Sequence, residues 1–140
     1  MFIYRAHKGE QQFYLLDRPP RELGGISLPE DRVVPTGHIG DSVTEETPLD
    51  AAKRELKEEL GADPLSIIEL DYQTETLLIR GTKQSIERGF LIEVDNQEFP
   101  FLEYLDITSS WHSLAELERF LTYESQRGAI PEIKQKLATK

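Results

Sequence analysis

Residues 37–62 read GHIGDSVTEETPLDAAKRELKEELGA, and the second half of this stretch decides how the rest of the chain must be arranged. At the helical advance of about 100° per residue, Glu55, Glu58 and Glu59 fall within an arc of roughly 100° and point the same way. Leu49, Ala52, Leu56 and Leu60 form an apolar stripe on a neighbouring face, which predicts packing against a core. Like charges three and four residues apart repel, so stability alone gives no reason to gather three glutamates there. A hard divalent cation reverses the sign, because carboxylate oxygens are its preferred ligands. Both helix ends are marked. Thr47 is an N-cap residue, Pro48 suits the first helical position, and Asp50 stands where a capping-box partner stands. Gly61 suits the C-cap, and Pro64 prevents continuation. A stiff helix of this kind can support a metal site built from several carboxylates.

The same residues resemble the signature of the Nudix (MutT-like) hydrolase family, G-x5-E-x7-R-E-U-x-E-E-x-G-U, in which U is a bulky apolar residue. The match runs Gly40, Glu46, Arg54, Glu55, Leu56, Glu58, Glu59 and Gly61, and it departs only at the last position, where Ala62 is small. Eight defined positions at fixed spacing outweigh the alternative of a solvated helix with a charge run. Thr36-Gly37-His38-Ile39 also resembles the start of the family's loop, and on that reading Gly37 is the motif glycine and Glu46 follows a three-residue insertion. The family uses the backbone carbonyl just before that glycine as a metal ligand. It belongs to Thr36 on one reading, which the strand-like run 33–39 favours, and to Ile39 on the other.

The resemblance implies an α/β (α+β) Nudix fold, with a mixed β-sheet sandwiched between α-helices, over a single domain of residues 1–140. It implies Glu55, Glu58 and Glu59 as ligands of Mg2+, with Mn2+ as the alternative, and Glu46 as a further acid at the metal. Arg54 is expected to project off the acidic face and pin a loop carboxylate such as Glu46. Glu59 or Glu103 is the general base, and the two stay open. Glu103 is preferred to Glu98 as the acid of the loop 95–104 because it lies closer before Trp111-His112-Ser113-Leu114. His38 is read as a substrate-contacting or structural residue. By the same resemblance Tyr123 would stack on a base and Arg127 would pair with phosphate, against the plainer roles of core packing and a surface ion pair.

The bulk composition agrees. A chain of 140 residues can bury a core of its own. Its 38% hydrophobic and 30% charged content lies within the globular range. The absence of cysteine excludes disulfides and thiolate-held zinc and fits a reducing compartment. No apolar run approaches the ~18 residues of a membrane span, and the start MFIYRAHKGE is unlike a signal peptide, so a cytoplasmic location is expected. The net charge of −10 argues against nucleic acid or an anionic membrane as partner. A polyphosphate is compatible with that charge once a bound cation neutralises both sides.

Elsewhere the pattern predicts strands at 2–6 and 12–16, a loop over 17–30 rich in proline and glycine, and a strand-like run over 33–39. Tyr4 and Tyr14 are read as sheet or core residues. Arg18, Arg21 and Arg32 are read either as phosphate-reaching or as solvated surface residues. Strands are expected at 67–78 and 84–94, joined by a turn at 80–83. A capping box of Ser113 and Glu116 opens a helix to about Phe120, and Pro131 starts or kinks a last helix ending near Leu137. The function expected is a metal-dependent pyrophosphohydrolase of a small-molecule nucleoside polyphosphate, either a dinucleoside polyphosphate or a nucleoside triphosphate, acting as a monomer or homodimer. The alternative is a nucleotide-sensing module of the same fold without hydrolysis. Its usual mark, a lost signature glutamate, is missing here.

Overall fold

Phe2, Ile3 and Tyr4 are all buried, so the first strand is covered on both faces and must lie inside a sheet that has layers above and below it. The computed structural model describes residues 1–35, 47–77, 84–95 and 108–139. Strand β1 (Phe2–His7) turns into β2 (Glu10–Arg18) through Lys8 and Gly9, whose φ values of 51° and 77° are the positive pair of a type I′ hairpin. Strands β3 (Arg21–Leu23) and β4 (Ile26–Leu28) form a separate hairpin around Gly24 and Gly25, at φ 60° and 82°. The loop expected over 17–30 is therefore corrected. Its glycine pair makes a hairpin turn, and its prolines stand between strands rather than inside them.

Strand β5 (Asp31–Val33) pairs with β2 and stops well short of Ile39. Pro35 has no N–H to give a ladder, and the Val34 N–H goes instead to Gln126 Oε1 at 3.3 Å. Helix α1 (Pro48–Leu60) follows, then β6 (Ser66–Leu77) and β7 (Gln84–Glu93), close to the ranges expected. The turn expected at 80–83 lies outside the described residues.

Strand β8 (Thr108–Ser113) pairs antiparallel along β2 from Gln12↔Ser113 to Asp17↔Thr108. It has no marked apolar alternation, and Trp111, edge-on to Tyr14 at 5.2 Å, is its anchor. Helix α2 (Leu114–Phe120) opens with the expected reciprocal Ser113–Glu116 box. A single turn, α3 (Glu124–Arg127), precedes α4 (Ile130–Ala138), in which Pro131 occupies the first turn.

The main sheet runs β5-β2-β1-β7-β6, with β8 also on β2; β1 and β7 are parallel and the other pairs antiparallel. Alternation along β1 and β2 separates two cores. Ile3 and Tyr14, with Phe90 and Ile92 of β7, face α1 through Ala52, Leu56 and Leu60. Phe2, Tyr4, Phe13 and Leu15 face Leu117, Ile130 and Ile133 of the C-terminal helices. This is the expected mixed sheet between helices. Leu56 alone, fully buried, contributes about 1.5–3 kcal/mol by its removal from water. Leu49 is a correction: its helical phase matches the stripe, but in the first turn of α1 it is 41% exposed.

Strand β6 is terminal among the described strands, and its register shifts between Glu69 and Gln73. There the Glu132 carboxylate of α4 accepts the N–H groups of Asp71 at 2.7 Å and Tyr72 at 3.1 Å.

Candidate active site

Helix α1 is held at both ends as the sequence predicts. Thr47 Oγ1 accepts the Asp50 N–H at 3.1 Å, and Gly61, at φ 64°, returns its N–H to the Lys57 carbonyl at 2.8 Å. With its apolar stripe seated on the sheet, the helix turns its acidic face away from the core.

On that face Glu55 is almost wholly buried, whereas the Glu58 side chain is 55% exposed. One guanidinium nitrogen joins them. Arg54 Nη1 donates to Glu55 Oε1 at 2.9 Å and lies 3.3 Å from each oxygen of Glu58. The expectation that Arg54 projects off the acidic face is thus corrected: it lies along that face and bridges two of its carboxylates. Backbone phase explains this, since residues 54 and 58 are one turn apart. Lys57 leaves the cluster and reaches toward Asp63 instead. The backbone of Glu59 lies in the same helix, and its side chain is outside the described residues.

Two carboxylates sharing one nitrogen show that Glu55 and Glu58 can turn their oxygens toward a common positive charge. Hard oxygen donors of this kind fit Mg2+ or Mn2+ and do not fit a thiophilic metal. Among the described residues no three acid, histidine or cysteine side chains gather into a finished metal site. Thr36, Gly37, His38, Gly40, Glu46 and Glu103 lie outside the described residues. What is described is the frame at the ends of residues 36–46: the Pro35 carbonyl accepts from the Met1 nitrogen at 2.7 Å, and Thr47 caps α1.

Tyr123 and Arg127 have protein partners. Tyr123 Oη donates to Asp31 Oδ2 at 2.7 Å, and Arg127 Nη1 donates to the carbonyls of Leu121 at 2.6 Å and Thr122 at 3.1 Å. Arg18 and Arg21 also converge on Asp31, while Arg32 pairs with Asp17 and stacks on Phe120. Asp31 is the residue that sequence reasoning missed, because nothing local marks an acid that strand pairing will bury. Burial pushes its carboxyl up, but bonds from Arg18, Tyr123 and Arg21 outweigh this and hold it at about 2. The Tyr123 hydroxyl is raised by the same contact.

The sequence matches the NUDIX domain family over residues 2–133. The chain belongs to that family. NUDIX hydrolases act on phosphoanhydride bonds, are generally pyrophosphohydrolases of nucleotide derivatives, and generally use a divalent metal. Several solved structures share the fold. An Ap4A hydrolase of C. elegans is 18% identical with a TM-score of 0.65, over 99% of this chain and 96% of that one. The NUDIX domain of NrtR from Shewanella oneidensis, solved with ADP ribose, is 17% identical with a TM-score of 0.65, over 97% and 84%. The dihydroneopterin triphosphate pyrophosphohydrolase of E. coli is 18% identical with a TM-score of 0.62, over 94% and 90%. No curated protein matches the sequence. Among the described residues of this NUDIX protein, no helix is long and apolar enough to cross a membrane.

Proposed function

We propose that this protein is a magnesium-dependent NUDIX pyrophosphohydrolase that cleaves a phosphoanhydride bond of a nucleoside polyphosphate, with dinucleoside polyphosphates and nucleoside triphosphates as the substrate classes. The observation that supports this most is the convergence of Glu55 and Glu58 on one cationic nitrogen, on a helix that also carries Glu59 of the R-E-U-x-E-E run.

In this reading Glu55, Glu58 and Glu59 hold the metal, joined by the backbone carbonyl ahead of the motif glycine. When bound, the ion screens the pyrophosphate, acidifies water and stabilises charge on the leaving phosphate. The chain supplies the rest. Buried Glu55 is a fixed ligand, because burial and the Arg54 bond restrict its rotamers. Glu58, open to solvent on its outer side, faces the incoming substrate. Arg54 offsets the repulsion between the two carboxylates before metal arrives. Glu59 or Glu103 takes the proton of the attacking water as its oxygen bonds to phosphorus, and the bridging oxygen leaves with the electron pair. Glu46 orients this acidic set from the loop.

The test is a magnesium-dependent turnover screen over nucleoside triphosphates, oxidised nucleotides, dinucleoside polyphosphates and sugar nucleotides, with products identified by mass. The expected result is hydrolysis of one class, abolished by chelator and by Glu58→Gln. Absence of turnover with thermal stabilisation by one nucleotide would instead establish a sensing module.

A further inference from the structure

The three residues of β5 lead directly toward the motif loop, and a three-residue strand cannot fix its own position. Its inner edge pairs with β2, at Leu16↔Val33, Asp17↔Arg32 and Arg18↔Asp31. Its outer side is held by a segment 90 residues further along the chain. Thr122 exchanges two bonds with Arg32: Thr122 Oγ1 accepts the Arg32 N–H at 2.7 Å, and the Thr122 N–H returns to the Arg32 carbonyl at 3.0 Å. Tyr123 Oη donates to Asp31, whose carboxylate is completely out of solvent, and Gln126 Oε1 accepts the Val34 N–H. The holding segment is itself braced. Arg127 binds the Leu121 and Thr122 carbonyls, and the Tyr123 carbonyl accepts the N–H groups of Gln126 and Arg127, both at 3.1 Å.

We infer that residues 121–127 form a clamp that sets where the motif loop begins, with Tyr123 and Gln126 as positioning residues for the metal site rather than contacts to the nucleotide. The inference rests on the metal-site reading above. A backbone ligand near residue 36 must sit within about 0.5 Å of its working place. The clamp acts two to five residues upstream, on backbone that β2 holds from one side only. Tyr123 keeps its ring and its hydroxyl in different surroundings: the hydroxyl is tied to buried Asp31, while the residue as a whole stays partly exposed.

The experiment compares wild type with Tyr123→Phe, Tyr123→Leu, Gln126→Leu and Glu58→Gln in the full-length protein. It reads direct Mn2+ binding by electron paramagnetic resonance, the Mg2+ dependence of turnover, kcat and KM separately, and Tm. Tyr123→Phe and Gln126→Leu are each expected to weaken Mn2+ binding and raise the half-saturating Mg2+ by about three- to tenfold, the effect of one lost hydrogen bond, with KM for nucleotide unchanged at saturating metal. If Tyr123 instead stacks on a base, Tyr123→Phe behaves as wild type and only Tyr123→Leu raises KM, which overturns the clamp. A fall in Tm with unchanged metal affinity in both variants also overturns it. Should Tyr123→Phe fail to fold, Gln126→Leu decides alone, since it leaves Asp31 untouched. Wild-type Mn2+ binding and turnover in Glu58→Gln would overturn the metal-site reading, and the clamp with it. Loss in Glu58→Gln alone would leave that reading standing and overturn the clamp.

Discussion

Arg18 and Asp31 form a two-pronged pair, with Nε to Oδ1 at 2.7 Å and Nη2 to Oδ2 at 2.6 Å, and the carboxylate has no solvent contact. The Asp31 carboxyl is held at about 2 against an ordinary 3.8, so the unfolded chain takes up its proton first. This contribution to stability is complete above pH 4 and is lost as the pH falls from there toward 2. Urea unfolding between pH 5 and pH 2.5 should show the loss in wild type. Asp31→Asn should cost about 3 kcal/mol at pH 7 by leaving the arginines unpaired, and should flatten that part of the pH dependence.

Glu58→Gln changes charge with almost no change of shape on a half-exposed side chain. Turnover should fall about a thousandfold or more while Tm stays close to wild type. Lys57→Ala, one position away but directed toward Asp63, should leave kcat/KM within about twofold. Steady-state assays on the two variants side by side check both expectations.

Arg54→Met removes the cation that Glu55 and Glu58 share. Without metal, buried Glu55 then faces Glu58 uncompensated, and the variant should lose about 1–3 kcal/mol. Added Mg2+ should restore much of that, so the Mg2+-induced rise in Tm should be larger in Arg54→Met than in wild type. Thermal melts with and without Mg2+ measure the difference, and equal rises would show that the metal does not enter this pair.

Gly89 in β7 has no room for a side chain. An added Cβ would lie 2.9 Å from Tyr72 Cδ1 and 3.2 Å from Leu70 Cδ1. Tyr72 cannot swing away freely, because its hydroxyl is bonded to the Ser125 carbonyl and its ring meets Phe2 edge-on at 6.3 Å. Gly89→Ala should therefore destabilise by about 1–3 kcal/mol, read as a lower urea midpoint at unchanged slope.

The parts of the molecule legible in the sequence are those whose cause is local. Thr47, Pro48, Asp50 and Gly61 act within one helix, so their spacing reveals the element and its ends. The strand-like run 67–78 and the dense apolar run Phe90-Leu91-Ile92-Glu93-Val94 reveal β6 and β7 for the same reason. The β3–β4 hairpin was hidden because the surrounding prolines outweighed the glycine pair at its turn. Strand β8 was hidden because its serines carry no apolar rhythm, and only pairing along β2 makes it a strand. Arg54 was misplaced because the motif gives its position in the chain but not the rotamer that its acidic neighbours favour. Asp31 and Gln126 depend on contacts across about 90 residues, which spacing along the chain cannot reveal.

Glu132 of α4 occupies the two N–H groups at the irregular point of β6, where the described sheet has no further strand. A strand arriving from another molecule needs those donors to continue the ladder, and here it meets an ionised carboxylate already seated on them. Among the described residues, the open border of the sheet is thus blocked at this point by one side chain reaching from some 60 residues further along the chain. Undocking the last helix would therefore uncover two ladder donors that the folded chain keeps occupied.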